Sequence, residues 1–362
     1  MKAIVLCSPG KLELTDIPRF KLVAKNHVQV KVRACGICGS DLRYYAGQNP
    51  WALHTLGRHV ENPPNMILGH EFAGEVVEVN AREHEHLLGK SVAVQSYRSC
   101  GTCAFCLSGK QNLCRDTIHA GHAQGWGKME YYPGAYSEYC IGWADMLYPI
   151  DDCIGFGEAA MADILCVAVH ANGCVKKIAG ADILCIGGGP AGLSAAQVAL
   201  VKGAAKVVIL ELSPIARDII SHYEGITVVD PGDSSSDEVL RGSTSTGNYS
   251  VIYDSVGSNE TFAAALELLS ESGTYVNLAV HDTELSFNAK NMGSERTITS
   301  SSNAFDRDIE EAVELLVSGK VDVGPWVTHR FPLEDFQTAF DLLLSEPKQA
   351  YKVVFEPWKG GG

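Results

Sequence analysis

The chain has 362 residues, 46% apolar and 20% charged, with a formal charge of −14 and no basic cluster. That is a globular composition, long enough for two domains with a core each, and its acidic balance argues against nucleic acid or an anionic membrane as partner. No apolar run approaches the roughly 20 residues of a membrane span, and "AIVLC" near the start is too short for the apolar part of an export signal, so the expected compartment is the cytoplasm.

The first 150 residues read as strands and turns. A strand is expected from Ala3, "HVQVKVRAC" alternates, and "FAGEVVEV" and "KSVAVQSY" follow with glycine-bounded ends. "CGICGSD" holds Cys35 and Cys38 in C-x-x-C spacing, and "GHEF" holds His70 and Glu71 just before a strand. Thiolate and imidazole are good zinc ligands, and three protein groups would leave a fourth position open to water or substrate.

Further on, "CGTCAFCLSGKQNLC" spaces Cys100, Cys103, Cys106 and Cys114 by three, three and eight. Four thiolates on one short loop suit a closed tetrahedral zinc shell with a structural role. Ordinary reduced cysteines would have no core to join among these Ser, Gly, Lys and Gln neighbours. Twelve cysteines in a chain without an export signal point to metal ligation rather than a disulfide framework.

From about residue 152 the texture changes. "AAMADILCVAVH", 159–170, reads as a buried helix interrupted by Asp163. A lone carboxylate in such company costs several kcal/mol unless a cation or good donors compensate; the alternatives to a metal are a helix N-terminus or an arginine. Then come the apolar strand "ADILCIGGG", the helix "GLSAAQVALVKG" and the strands "KVVILEL", "VIYDSVG" and "GTYVNLAV". Strands alternating with helices mean a doubly wound parallel sheet of Rossmann type.

The strand-to-helix turn carries Gly187, Gly189 and Gly192, with Pro190 and Ala191 between the last two. The first glycine makes the turn, the second lets a pyrophosphate approach, and the third lets helix and strand pack. Glu211 closes the next strand nineteen residues past Gly192, where an acid binds the ribose hydroxyls and repels a 2′-phosphate. NAD is therefore expected over NADP, with Arg217 keeping NADP open.

Residues 230–248, rich in Ser and Gly, read as a solvated helix and loop. After about 298, "RDIEEAVELLVSGKV", "FPLEDFQTAFDLLLS" and "YKVVFEP" read as two helices and a strand returning to the first domain. The expected division is 1–151 with 299–362 for the metal-binding domain and 152–298 for the dinucleotide-binding domain. The three closing glycines are set aside as a tag remnant.

These motifs, with "GGGPAGL", "THRFPLEDFQTAFDLL" and "KVVF", resemble the zinc-dependent medium-chain dehydrogenases of the alcohol, polyol and threonine dehydrogenase type over essentially the whole chain. The resemblance implies a GroES-like, mostly-β catalytic domain beside the Rossmann domain. It implies two Zn2+ per chain, and a homodimer or homotetramer. Cys38 and His70 would hold the catalytic zinc, with Cys35 not a ligand. The third ligand usually lies where Asp163 stands; an aspartate there is similar to the formaldehyde dehydrogenase and dismutase branch, and Glu71 is the rival. Ser40 would start a proton relay, or cap the helix that Asp41 begins. Many relatives have a histidine where this chain has Arg43, so the outer relay is left open.

The expected reaction is hydride transfer between NAD and a secondary alcohol or polyol, or its ketone, with zinc polarising the oxygen. The alternative is a formaldehyde dehydrogenase or dismutase-like enzyme with tightly held NAD; a metal- and NAD-binding protein without turnover is the reading from another class. His54, His59, His119 and His122, and Tyr44, Tyr45, Trp51 and Trp126, could edge a pocket, but each alone is more simply a solvated or packed side chain.

Overall fold

The computed structural model describes residues 1–150 and 154–359. By internal packing the chain forms two compact units, Met1–Asp163 with Phe305–Gly362, and Ile164–Ala304. The expected boundary at 151/152 and the closing glycines lie outside the described residues. The strand Thr297–Ser300 crosses the other expected boundary, 298/299, because its parallel pairing with Leu269–Asn277 runs on to Asn277 opposite Ser300. The chain therefore leaves the second unit's sheet slightly later than expected.

The first unit is built round the strand His27–Gly36. Its alternation buries Val28, Val30, Val32 and Ala34 completely, yet Gln29 and Cys35 are buried as well, so both faces are covered. It pairs antiparallel with Glu71–Val79 and Tyr139–Trp143, and at its far end with Lys352–Phe355. That register sets Gly36 opposite Glu71 and opposite Val354. The end of the first cysteine strand, the acid of "GHEF" and the buried Lys352 are thereby neighbours although they lie far apart in sequence. Lys11–Asp16, Lys2–Ser8 and Met66–Ile67 form a separate three-stranded sheet.

The chain after Met66–Ile67 carries His70, and the loop 117–136 pins it there. Ala135 N donates to Gly69 O (2.9 Å), Tyr136 N to Leu68 O (2.9 Å), and Gly121 N to Pro133 O (2.7 Å). Gly121 has φ +87°, and a Cβ there would sit 2.5 Å from Gly69 O. Only glycine tolerates both the conformation and the approach.

The second unit has six parallel strands in the order Ile226–Val229, Lys206–Leu210, Asp182–Ile186, Tyr249–Asp254, Leu269–Asn277, Thr297–Ser300. Numbered along the chain this is 3-2-1-4-5-6, the order of dinucleotide-binding sheets. Asp182–Ile186 is central, so its Ile183, Leu184 and Cys185 are fully buried, which explains the unbroken apolar run. Residues 230–248 hold one exposed helix, Ser236–Gly242, between loops. Among the described residues no helix is long and apolar enough to cross a membrane.

Gly121→Ala is expected to lower unfolding stability by about 1–3 kcal/mol through overpacking against Gly69. Urea denaturation measures it, and an unchanged midpoint would contradict the close approach.

Candidate metal centres and dinucleotide turn

The four lobe cysteines converge. Their sulfurs lie within 4.8 Å of one another, with Sγ–Sγ separations of 3.9 Å for Cys100 and Cys106, 3.6 Å for Cys103 and Cys106, and 3.9 Å for Cys103 and Cys114. A tetrahedral ion with metal–sulfur bonds of about 2.3 Å has edges of roughly 3.8 Å, so the donor set fits zinc. Backbone N–H groups of Thr102 and Cys103 point at Cys100 Sγ and hold its thiol down at about 6. Burial pushes Cys114 up to about 12. A metal that deprotonates all four removes that inequality.

The second donor group is Cys38, His70 and Glu71, again within 4.8 Å. Three elements deliver it: the end of His27–Gly36 turning into the helix Gly39–Tyr45, the loop before Glu71–Val79, and the first residue of that strand. Glu71 Oε1 is buried without a hydrogen-bond partner, while His70 Nδ1 lies 3.5 Å from Asp41 Oδ1. Glu71 does form an ion pair with Lys352, a side chain about 4% exposed. Burial works against the Lys352 charge, but Glu71 and Cys38 hold its pKa above the ordinary value.

Asp163 joins none of the tight donor groups among the described residues. It lies in the first turn of the helix Ala162–Gly173. Desolvation pushes its carboxyl up to about 6, against the pull of His70. Ser40 lies half-buried with its hydroxyl oxygen unpartnered. It does not cap its helix: the N-cap is Cys38, whose backbone N–H donates to Asp41 Oδ2 at 2.8 Å. The cap moved because the helix starts one residue before Ser40, leaving that hydroxyl available.

Two residues were missed in the sequence. Asp41, fully buried, accepts from Cys38 N, from Tyr136 Oη (2.8 Å) and from Gly69 N (3.4 Å), and its Oδ1 lies 3.5 Å from His70 Nδ1. Burial opposes its charge, but His70 and these donors keep its pKa below the usual carboxylate value. Such a carboxylate orients a ligating imidazole. The signal was present: Asp41 stands three residues after Cys38, at capping-box spacing. The other is Lys352, the buried first residue of the otherwise apolar strand Lys352–Phe355.

The remaining candidates sort themselves. His119 and His122 pack against His70, with ring centroids of His70 and His122 4.5 Å apart and those of His119 and His122 3.9 Å apart. Burial pushes His119 down to about 3. Trp51 donates to Thr117 Oγ1 and Trp126 to the carbonyl of His119, Tyr45 packs on Phe340, His54 is half-buried and His59 exposed. Tyr44 is fully buried beside His122.

In the second unit, Gly187 has φ +91°, and a Cβ on Gly192 would lie 1.9 Å from Gly187 O, while one on Gly189 meets nothing within 4 Å. The chain's own packing therefore requires the first and third glycines; the second faces open space. Gly189 caps the helix Pro190–Val201, with Pro190 and then Ala191 opening it. Glu211 lies against this turn, accepting from Gly188 N and Ser213 N, both at 2.6 Å. Arg217 is held by Asp230 (2.8 Å) and by the carbonyl of Glu211.

Comparison with known proteins agrees with these two halves. Residues 24–152 match the family described as "Alcohol dehydrogenase GroES-like domain" and residues 190–318 that described as "Zinc-binding dehydrogenase". D-xylulose reductase of Saccharomyces cerevisiae is 29% identical over 98% of this chain and 97% of its own length. L-threonine 3-dehydrogenase of Coxiella burnetii is 30% identical over 89% of this chain and 90% of its own. The alcohol dehydrogenase of a Thermus species superposes with a TM-score of 0.85 at 25% identity, covering 98% of this chain and 99% of that one. With similarity running through both the cysteine-bearing half and the glycine-turn half, the chain belongs to the zinc-dependent medium-chain dehydrogenase/reductase family.

Proposed function

We propose that the protein is a zinc-dependent, NAD-linked dehydrogenase interconverting a secondary alcohol or polyol and its ketone. The observation that carries this reading is the convergence of Cys38, His70 and Glu71, whose donor atoms lie within 4.8 Å of one another, with His70 and Glu71 buried. A merely structural ion has a closed shell, as the lobe would; three donors leave a position for substrate. The zinc half of the chemistry is assigned to the unit Met1–Asp163 with Phe305–Gly362 and the dinucleotide half to Ile164–Ala304, in the cytoplasm, as a homodimer or homotetramer. Of the related proteins, D-xylulose reductase is named for a ketose and sorbitol dehydrogenase for a polyol. The formaldehyde alternative rests on Asp163 alone, and no relative reported above supports it.

In this reading Cys38, His70 and one acid, Asp163 or Glu71, hold the catalytic ion, and Cys100, Cys103, Cys106 and Cys114 the structural one. The bound groups supply Lewis acidity at the alcohol oxygen and a hydride acceptor. Asp41 fixes the His70 ring, and Lys352 neutralises Glu71 when that carboxylate is not ligating. Ser40, its hydroxyl free of the helix cap, takes the alcohol proton onward. Gly187, Gly189, Pro190, Ala191 and Gly192 present backbone N–H groups to the pyrophosphate, and Glu211 selects the ribose. Arg217, already held by Asp230, is poorly placed to take a 2′-phosphate, which favours NAD.

The primary test is NADH production across a panel of secondary alcohols and polyols, with silence across the panel overturning the reading. Elemental analysis is expected to give two zinc ions per chain. Asp163→Ala should cost the catalytic zinc and leave the lobe loaded; if Glu71→Gln does so instead, Glu71 is the third ligand. Glu211→Ala should cut NAD preference over NADP by tenfold or more, read as the ratio of kcat/KM values.

Asp163 also predicts a pH dependence for metal-free protein. A carboxyl raised in the folded state to about 6 from 3.8 binds its proton more tightly folded than unfolded. Its contribution to stability is therefore present below pH 4 and lost as pH rises towards 6. Asp163→Asn should flatten that part of the stability profile, and an unchanged profile would remove the assignment.

A further inference from the structure

Tyr136 carries a buried hydroxyl that has no part in the chemistry assigned above. The residue is fully buried, and its ring packs edge-on against Phe355 and Phe340, with centroids 5.0 and 6.3 Å away. A phenylalanine would fill that space equally well, so packing alone does not call for the oxygen. Yet Oη donates to Asp41 Oδ2 at 2.8 Å. Burial, with the charge of Asp41 beside it, pushes the phenol well above its ordinary pKa, so it stays a donor. The segment that carries it is tied to the chain just before His70, through Tyr136 N to Leu68 O and Ala135 N to Gly69 O.

The two oxygens of Asp41 are divided between two tasks. Oδ2 accepts from Tyr136 Oη and from Cys38 N, both at 2.8 Å. Oδ1 accepts from Gly69 N at 3.4 Å and faces His70 Nδ1 at 3.5 Å. The two short bonds occupy Oδ2 and stop the carboxylate from turning, so Oδ1 stays aimed at the imidazole. We propose that Tyr136 is a positioning residue for the metal ligand His70 and acts on it through Asp41. Hydroxyl, carboxylate and imidazole form one chain, which fixes the ring and decides which nitrogen carries its proton. With the proton at Nδ1 held towards Asp41 Oδ1, the lone pair of His70 lies at Nε2, the nitrogen left for an ion. The inference rests on the proposed function, since it needs an ion at the Cys38 group, and it adds a residue that touches neither ion nor substrate.

The test is release of zinc from the loaded full-length chain to excess chelator, with Cys38→Ala showing which phase belongs to the Cys38 ion. Tyr136→Phe keeps the ring and removes only the hydroxyl. It should speed loss of the Cys38 ion by about tenfold, the lower end for changes in the groups that orient a ligand, while the lobe ion leaves at its usual rate. Tyr275→Phe removes a like bond from the second unit, Tyr275 Oη to Asp254 Oδ2 at 3.0 Å, and should alter neither rate. In an Asp41→Asn background Tyr136→Phe should bring no further acceleration, because both changes break the same chain. With 15N-labelled histidine, the His70 Nδ1 proton of the loaded protein should exchange slowly in the unaltered chain and quickly in Tyr136→Phe. Unchanged release in Tyr136→Phe, equal acceleration of both ions, full additivity with Asp41→Asn, or a His70 proton equally protected in both proteins overturns the proposal and leaves the dehydrogenase reading standing. Uptake of zinc by the lobe alone overturns both.

Discussion

Asp41 is the carboxylate on which the first unit's chemistry depends. It is fully buried and receives donors from three separate chain segments: Cys38 N on its own helix, Gly69 N beside His70, and Tyr136 Oη on the returning loop. Burying a charge without such partners would cost several kcal/mol or more. Because that cost is met only when all three segments are in register, one side chain sets the spacing between Cys38 and His70. A carboxylate held below its ordinary pKa stays charged and keeps the imidazole turned.

A second buried charge sits one strand away. Glu71 and Lys352 are both nearly inaccessible, and replacing such a pair with apolar residues is often neutral or stabilising in other proteins. Its place beside Cys38 and His70 fits the cation proposed there. Lys352 holds Glu71 in place through an ion pair at Oε2, which leaves Oε1 without a hydrogen-bond partner. The wall of neutral imidazoles, His119 and His122, adds no net charge to this neighbourhood, since burial keeps both below the usual histidine range.

The second unit carries a glycine turn whose backbone N–H groups, in the proposed function, face a pyrophosphate. A tight turn after a central strand needs Gly187 at positive φ and Gly192 without a side chain. Glu211 then braces the turn through Gly188 N and Ser213 N, so the residue expected to read the ribose is held in place before any ligand arrives. Pre-ordering of this kind lowers the entropy cost of binding.

Local pattern was enough for the elements themselves. The apolar run of a central parallel strand, the glycine spacing of the turn and the four clustered cysteines are each properties of a few consecutive residues, so composition and spacing determined them. The same holds for Cys38 and His70 as donor types. What the sequence could not decide was everything that depends on register between distant strands. The pairing of Gly36 with both Glu71 and Val354 brings Lys352 to Glu71. The helix start at Gly39 makes Cys38 the cap, with Asp41 rather than Ser40 bonding to it, and the loop 117–136 lays His122 against His70. Those are long-range contacts, set by which buried polar groups can satisfy one another in three dimensions, and no window along the chain contains both partners.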